Sequence, residues 1–310
     1  MSLAFRTVGA PAASHVTAIV HGLLGNGRNW ASMANELSKR TPAAAVACLD
    51  LRNHGRSVGF TAPHTLSTAA ADVWTTLPRL HETGALPSRL IGHSMGGKVL
   101  MQLVADETRA AQLVQRSPTR RVDLFVVDSQ PGAAPDEVRV ERASPPRGAT
   151  TDTVRHVLDF VSSAPHPLPS RAWVTERALA HNFGRGIAMW LASNVTQRED
   201  GAGLRWMFDP ATAYSLFDSY NASDMWPLLI RGSVPGLNIT LITATRSTRW
   251  KDAAVQAQLA HVQEAAAARR AQGGSAVRGD VRVVPIEAGH WVHVDNPSAL
   301  LDVLCDVPTV

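Results

Sequence analysis

Short runs of apolar residues alternate along this chain with longer stretches whose apolar positions recur every three or four residues. The short runs predict strands at residues 3–8, 15–20, 43–51, 122–127, 238–244 and 281–286, with a further short strand that ends at residues 90–91. The longer stretches predict helices at residues 29–39, 66–80, 97–106 and 251–271, and a last helix from residue 296 or 298 to 304. Alternating strands and helices are typical of a mostly parallel sheet covered on both faces, so we expect an α/β fold.

The pattern changes after Pro131. Residues 131–151 are rich in proline, alanine and arginine and predict a loop. Helical patterns follow at residues 153–162, 171–183, 186–195 and 210–220, without a strand pattern between them. We therefore predict a helical cap, residues 132–235, inserted into a core domain made of residues 1–131 and 236–310. Most of the aromatic residues fall in the cap, where we expect them to form an apolar roof over a site in the core.

The sequence Gly92-His93-Ser94-Met95-Gly96 fits G-x-S-x-G, the nucleophile elbow of α/β-hydrolases. The elbow holds its serine on a strained turn between a strand and a helix, and glycines on either side leave room for that turn. Residues 90–91 end an apolar run and residues 97–106 predict a helix, so the context fits. We predict that Ser94 is a nucleophile. The alternative is a glycine-rich turn that holds a serine by chance.

A serine hydroxyl needs a base within hydrogen-bonding reach before it attacks an ester at neutral pH. His290 follows the last predicted strand, after Gly289, and is our candidate base. His293 competes for this role, but we expect the following helix to carry it away from the site. Chain order in this fold is serine, acid, histidine.

The acid is harder to assign because residues 245–249, where this fold commonly places it, contain no carboxylate. Asp128 ends the strand at residues 122–127 and is the favoured candidate, since it would orient the imidazole. Asp252 is the alternative. In a third interpretation Asp128 only anchors its loop and another group orients the histidine.

Two polar loops follow early strands and would lie at the same edge of the sheet. In the first, Gly22 and Gly25 let the chain approach the nucleophile, and Leu23 would donate one backbone N–H to an oxyanion while Met95 donates the second. We expect His21 to fix this loop by hydrogen bonding. In the second loop, residues 50–57, we expect Asp50 to pair with Arg52 and His54 to be structural.

Composition excludes several other classes. Hydrophobic residues make up 45% and charged residues 18% of the 310 residues, as in ordinary globular proteins. The net charge of +4 comes from scattered arginines without interleaved aromatic residues, so we expect no nucleic-acid partner. No apolar run approaches the roughly 18 residues that a membrane span needs, and no signal peptide is recognisable. Motifs for a metal or an organic cofactor are also absent from the sequence, and the two cysteines, Cys48 and Cys305, suggest thiols in a reducing compartment.

Four motifs together resemble a known family: HGLLGNGRNW at residues 21–30, DLRNHGRS at 50–57, GHSMGG at 92–97 and AGHWVH at 288–293. They are similar to the α/β-hydrolase esterases related to abhydrolase-domain-containing protein 11 and to the bacterial YbfF-type esterases. The cap matches only loosely, at residues 194–195 and 204–208. The resemblance departs at residues 127–131, where VDSQP replaces a more apolar sequence after the acid, and in a longer segment after Ala244.

The resemblance implies an α/β-hydrolase fold and a serine esterase or thioesterase, with Ser94, His290 and Asp128 as the carried-over catalytic residues. We expect a small-molecule acyl ester as substrate and no cofactor. The expected location is cytoplasmic, with a mitochondrial location, as in mammalian members of the family, as the alternative. A non-catalytic binding module, a carbon–carbon hydrolase and a perhydrolase remain alternative functions on the same fold.

Overall fold

The computed structural model describes residues 1–9, 13–134, 153–272 and 278–306. Its strands are β1 (Phe5–Val8), β2 (His15–Val20), β3 (Ala44–Leu49), β4 (Arg89–His93), β5 (Val122–Val127), β6 (Val195–Gln197), β7 (Leu204–Trp206), β8 (Leu237–Ala244) and β9 (Val281–Ile286). The main sheet has the order β1-β3-β2-β4-β5-β8-β9, in which β1 is antiparallel to β3 and all other neighbours are parallel. The predicted α/β class with a mostly parallel sheet is therefore confirmed.

The helices of the described residues are α1 (Ala31–Arg40), α2 (Leu66–Thr76), α3 (Met95–Ala105), α4 (Glu107–Arg116), α5 (Val154–Ser163), α6 (Arg171–Ala180), α7 (Arg185–Ser193), α8 (Pro210–Ala222), α9 (Trp226–Arg231), α10 (Ala253–Ala271), α11 (Val292–Asp295) and α12 (Pro297–Cys305). Helices α1 and α12 cover one face of the main sheet, and α2, α3 and α10 cover the other. Successive strand residues point to opposite faces. Leu90 therefore packs in one layer and Ile91 in the other.

The cap segment has a hydrophobic cluster of its own. Side chains of α5, α6, α7 and the start of α8 share this cluster with Leu24 of the core. The expectation of helices alone is wrong here, because β6 pairs with β7 in a short antiparallel hairpin. Strands of three residues are too short to reveal a period of two in the sequence. Farther along the chain, Trp226 and Leu229 of α9 pack with the core beside α10. The cap boundaries at residues 132 and 235 remain a prediction.

Helix α4 was not anticipated, because the sequence pattern ends the preceding helix at Asp106. The Asp106 side chain accepts hydrogen bonds from the amides of Thr108 and Arg109, at 3.0 and 3.1 Å, and so starts a new helix. Most of the predicted loop at 131–151 and the stretch 273–277 lie outside the described residues. Within the described part of the chain, no helix combines the length and the apolar character that crossing a membrane requires.

Candidate active site

Ser94 stands between the end of β4 and the first turn of α3, with φ 51° and ψ −121°. This left-handed conformation is strained for a residue with a side chain, and the surrounding contacts must hold it. The Ser94 amide donates to the carbonyl of Val127 at 2.9 Å. A Cβ atom on Gly92 would lie 2.5 Å from the carbonyl oxygen of Gly96, and one on Gly96 would lie 2.4 Å from that of His21. Both glycines are therefore required for the turn to close.

His290 and Asp128 meet beside this turn, although they are separated by 162 residues in the chain. The Nδ1 atom of His290 lies 2.6 Å from Oδ2 of Asp128. The Asp128 side chain is fully buried, whereas that of His290 is 29% exposed and lines a cavity together with Ser94. Burial lowers the pKa of His290, and the hydrogen bond to Asp128 opposes this shift. The imidazole is therefore neutral at pH 7 and is held in one orientation.

The second oxygen of Asp128 is also occupied. Its Oδ1 atom accepts hydrogen bonds from the indole Nε1 of Trp250, at 2.5 Å, and from the amide of Ala244, at 3.1 Å. These donors satisfy a carboxylate that has no contact with water. Trp250 was missed by the sequence analysis. The signal available in the sequence was the tryptophan in the loop after β8, where a carboxylate was expected.

Asp252, the alternative acid, has a different place in the structure. Its carboxylate accepts hydrogen bonds from the amides of Ala254 and Val255, at 2.9 and 3.1 Å, and caps the N-terminus of α10. The structure thus brings Asp128, and not Asp252, into hydrogen-bonding contact with His290.

His21 and His54 hold the loops on the other side of Ser94. The Nε2 atom of His21 accepts from the amide of Leu51 at 2.9 Å, so its Nδ1 carries the proton and donates to the carbonyl of Gly22 at 2.7 Å. His54 uses the same tautomer, accepting from the amide of Leu24 at 3.3 Å and donating to the carbonyl of Arg52 at 2.8 Å. Burial lowers the pKa of His21 to about 4 and that of His54 to about 3. Both rings bind backbone groups of these loops through both nitrogens, and their structural role remains a prediction.

The expected pairing of Asp50 with Arg52 is wrong. The guanidinium of Arg52 instead pairs with Asp72 on α2, at 2.7 Å. Asp50 accepts hydrogen bonds from the amides of Gly27 and Arg56, at 2.7 and 3.1 Å, and so joins two loops. Asp72 and Gly27 lie 20 residues or more from their partners in the chain, so local sequence does not reveal these contacts.

The expectation that a helix carries His293 away from the site is also wrong. Helix α11 is only 4 residues long, and His293 lines the same cavity as His290. Its ring stacks on that of Trp30, with a centroid distance of 4.2 Å. Burial lowers the pKa of His293 to about 4. The structure gives this imidazole an aromatic neighbour but, among the described residues, no carboxylate within salt-bridge distance.

Two further polar residues support the site and were not anticipated. His93, which precedes Ser94, has its Nε2 atom 2.8 Å from the backbone carbonyl of His290 and so ties the turn at Ser94 to the loop that carries His290. Lys98, buried on α3, donates to the carbonyls of Gly132, Tyr220 and Ser223 at 2.8, 2.9 and 3.0 Å. The lysine therefore links α3 to the segment after β5 and to the C-terminal end of α8.

The cavity at the site has a volume of about 800 Å³. Loops at the edge of the main sheet contribute Ser94, His290 and Leu23 to its wall, and Ile187 and Trp190 of α7 contribute to it from the predicted cap. Apolar walls around a few polar groups are typical of small-molecule sites. The predicted aromatic roof is present in part, since Trp190 lines the cavity, but several other cap aromatics are buried in the cluster of the cap itself.

Comparison with known proteins assigns the chain to a family. The model of the alpha/beta hydrolase family matches residues 19–303, and the chain belongs to this family. Mouse sn-1-specific diacylglycerol lipase ABHD11 is 24% identical over 316 residues, which cover 97% of this chain and 83% of the mouse protein. Lipase LipV of Mycobacterium tuberculosis is 35% identical over 150 residues, 45% of this chain and 53% of LipV. The resemblance to esterases related to ABHD11 is thus confirmed.

A solved structure agrees with the fold. A marine microorganism esterase superposes with a TM-score of 0.67 at 24% sequence identity, and the alignment covers 97% of each chain. At this identity the likeness establishes the fold alone. Family membership, together with the lipases among its relatives, supports a hydrolase activity for this chain.

Proposed function

We propose that this chain hydrolyses carboxylic esters or thioesters of small to medium acyl groups through an acyl-enzyme on Ser94. One observation carries the proposal: a serine on a strained elbow and an imidazole bonded to a buried carboxylate line the same cavity. That combination is what nucleophilic catalysis by serine requires.

In this mechanism the Ser94 hydroxyl attacks the acyl carbonyl carbon while Nε2 of His290 takes the hydroxyl proton. Asp128 keeps the proton of His290 on Nδ1 and stabilises the imidazolium that forms. The imidazolium then protonates the departing alcohol or thiol. Water, activated by His290 in turn, releases the acid and restores Ser94. Every proton in this cycle moves between groups of the chain, the substrate and water, so the mechanism needs no cofactor.

Two backbone amides, those of Leu23 and Met95, would stabilise the oxyanion. The neighbouring amides of Leu24 and Gly25 are already bound, to His54 and to the carbonyl of Gly22. Leu23 therefore supplies the loop donor in this proposal. Met95 is the first residue of α3, where N–H groups lack acceptors within the helix and favour negative charge.

The apolar part of the cavity wall favours an apolar acyl chain over a charged or sugar-like one. The similar mouse and mycobacterial proteins are a diacylglycerol lipase and a lipase, which agrees with an ester of a carboxylic acid as substrate. The cap is proposed to set the length of acyl chain that fits, because Val157, Ile187 and Trp190 contribute to the wall.

Hydrolysis of 4-nitrophenyl esters of graded acyl length tests the proposal, with Ser94→Ala and His290→Gln beside the native protein. We expect native turnover and a loss of at least about a thousandfold in kcat for each variant. Labelling by a fluorophosphonate should require Ser94. A native protein inert to all esters and to the probe would overturn the proposal in favour of a binding module. Labelling without ester hydrolysis would instead indicate another serine-dependent reaction of the fold, such as carbon–carbon bond hydrolysis.

A further inference from the structure

The loop after β8 carries cations and an indole where a carboxylate was expected. Residues 248–250 form one turn of 3-10 helix, and its last residue, Trp250, is buried with its indole bound to Asp128. This anchor fixes the turn directly beside the Asp128–His290 pair. The preceding residue, Arg249, is therefore placed at the site by the same contact that satisfies the buried acid.

Arg249 lines the cavity that contains Ser94 and His290. Its positive charge acts on this site, since it contributes to lowering the pKa of His290 and of His93. Within residues 1–9, 13–134, 153–272 and 278–306, no carboxylate lies within salt-bridge distance of the Arg249 guanidinium. The cation is thus half-buried at the cavity without a carboxylate in direct contact from the described part of the chain.

Asp295, an acidic residue on the same cavity wall, does not pair with Arg249. Asp295 lines the cavity, but its carboxylate lies 3.4 Å from the guanidinium of Arg246 and accepts the amide of Gly289 at 2.7 Å. Asp128 does not contact Arg249 either, since its two oxygens are bound to His290, Trp250 and the amide of Ala244. The Arg249 guanidinium therefore has no carboxylate in direct contact among the described residues. A guanidinium beside apolar walls, where water is limited, gains from an anion that accepts two parallel hydrogen bonds, and a carboxylate has this geometry.

We propose that Arg249 binds a carboxylate carried by the ester substrate, so that the preferred substrates combine an apolar chain with one anionic end. The apolar wall formed by Leu23, Ile187 and Trp190 holds the chain, and Arg249 holds the anionic end. The inference rests on the proposed ester hydrolysis and adds a substrate class to it. Arg249 is a specificity residue in this account and takes no part in the proton transfers.

Matched pairs of esters test this inference on both sides of the scissile bond. On the acyl side, mono-4-nitrophenyl adipate is compared with 4-nitrophenyl hexanoate, which has a methyl group in place of the carboxylate. On the leaving-group side, the hexanoate ester of 4-hydroxybenzoate is compared with that of 4-hydroxybenzamide. The readout is the ratio of kcat/KM for the anionic ester to that for its neutral partner, which cancels any general change in the catalytic machinery.

We expect the native ratio to exceed one in at least one pair, and Arg249→Gln to lower that ratio by roughly ten- to hundredfold. Arg249→Lys should keep part of the preference, because the charge remains while the two-pronged geometry is lost. Lys251→Gln is the matched control. This substitution also removes one positive charge, two residues along the chain from Arg249. The Lys251 side chain is exposed and does not line this cavity, so the ratio should stay near the native value.

Two results would overturn the inference while ester hydrolysis stands. The first is a native enzyme that turns over the neutral ester of each pair in a Ser94-dependent manner without preferring the anionic partner in either pair. The second is an equal fall in the ratio for Arg249→Gln and Lys251→Gln. That result would indicate a general effect of positive charge and not a contact between Arg249 and the substrate carboxylate. A native protein that cleaves none of the four esters and does not react with a fluorophosphonate would instead overturn the proposed function, and this inference with it.

Discussion

Imidazoles flank Ser94 on two sides, and the two sides differ in their partners. His290 lies after β9, and His21 and His54 lie in the loops after β2 and β3. Burial lowers the pKa of all three. Burial and a shifted pKa therefore do not distinguish the proposed base from the structural histidines.

The distinction lies in what each ring nitrogen contacts. His21 and His54 have both nitrogens bound to the backbone and are at most 1% exposed. His290 binds a carboxylate through one nitrogen, and its side chain remains 29% exposed at the cavity. An imidazole can transfer protons to a substrate only if one of its nitrogens can reach that substrate. The comparison predicts that replacing Asp128, the partner of His290, mainly lowers activity, whereas replacing His54 mainly lowers stability.

Asp128→Asn should give the largest effect of the four predictions that follow. An amide in place of the carboxylate can donate to Nδ1 of His290 and so favours the wrong tautomer. We expect kcat to fall by roughly a hundred- to ten-thousandfold, measured on the best 4-nitrophenyl ester. Because Asp128 raises the pKa of His290, the acid limb of the residual activity should also move to lower pH.

Asp252→Asn is the control for this variant. Asn is as good an N-cap as Asp, so α10 should keep its start and activity should stay near native. A large loss for Asp252→Asn with little loss for Asp128→Asn would reverse the assignment of the acid.

The pH dependence of activity and that of stability should differ in origin. Activity needs neutral His290, so kcat/KM should fall as the pH drops through its lowered pKa, below 6.5. Stability should fall below pH 6.5 for another reason. Below pH 6.5 these two histidines become protonated in the unfolded chain, whereas in the folded chain His21 stays neutral down to about pH 4 and His54 down to about pH 3. The free energy of unfolding should therefore decrease by roughly 1.4 kcal/mol per pH unit for each imidazole.

Denaturant titrations from pH 8 to pH 5 check the predicted pH dependence of stability. Profiles of kcat/KM against pH on the same samples check that of activity. Unfolding free energies that stay constant as the pH falls, or that rise, would contradict the assignment of His21 and His54 as buried neutral side chains.

The residues proposed for chemistry could be found in the sequence because each follows a strand in a recognisable setting. Ser94 stands in a glycine-flanked elbow, Asp128 ends an apolar run, and His290 follows the last strand after a glycine. Parallel strands bring their carboxyl ends to one edge of the sheet, so positions far apart in the chain could be expected to lie together there. The sheet was predictable for the same reason, since its central strands are continuous apolar runs.

The supporting residues could not be found in this way, because their partners come from distant segments. Trp250 contacts Asp128 across 122 residues, and Lys98 contacts the carbonyl of Ser223 across 125. Arg52 has an acidic neighbour two residues away and still pairs with Asp72. His293 was misplaced because the short helix α11, which was not predicted, keeps it at the cavity before the last helix begins. Packing, and not local pattern, decides these contacts.

His54→Phe should affect stability more than activity. The replacement leaves the amide of Leu24 and the carbonyl of Arg52 without their buried partner, which costs roughly 2–3 kcal/mol of unfolding free energy. Loosening Leu24 next to the proposed oxyanion donor Leu23 should lower kcat only several-fold. The control is His261→Phe, at an exposed position of α10, which should change stability by less than about 0.5 kcal/mol. A loss of activity for His54→Phe as large as that for Asp128→Asn would assign His54 to the chemistry.

His293→Phe should give the smallest effect and separates the two histidines of the last loop. The Nδ1 atom of His293 is buried and has no hydrogen-bond partner among the described residues. Phenylalanine keeps the stacking on Trp30 and removes that polar atom, so we expect the unfolding free energy to rise by about 1 kcal/mol. The value of kcat should stay within about threefold of native, because the proposed proton transfers use His290 alone. If His293→Phe abolished ester hydrolysis and His290→Phe preserved it, the base would be His293 and the contact with Asp128 would be structural.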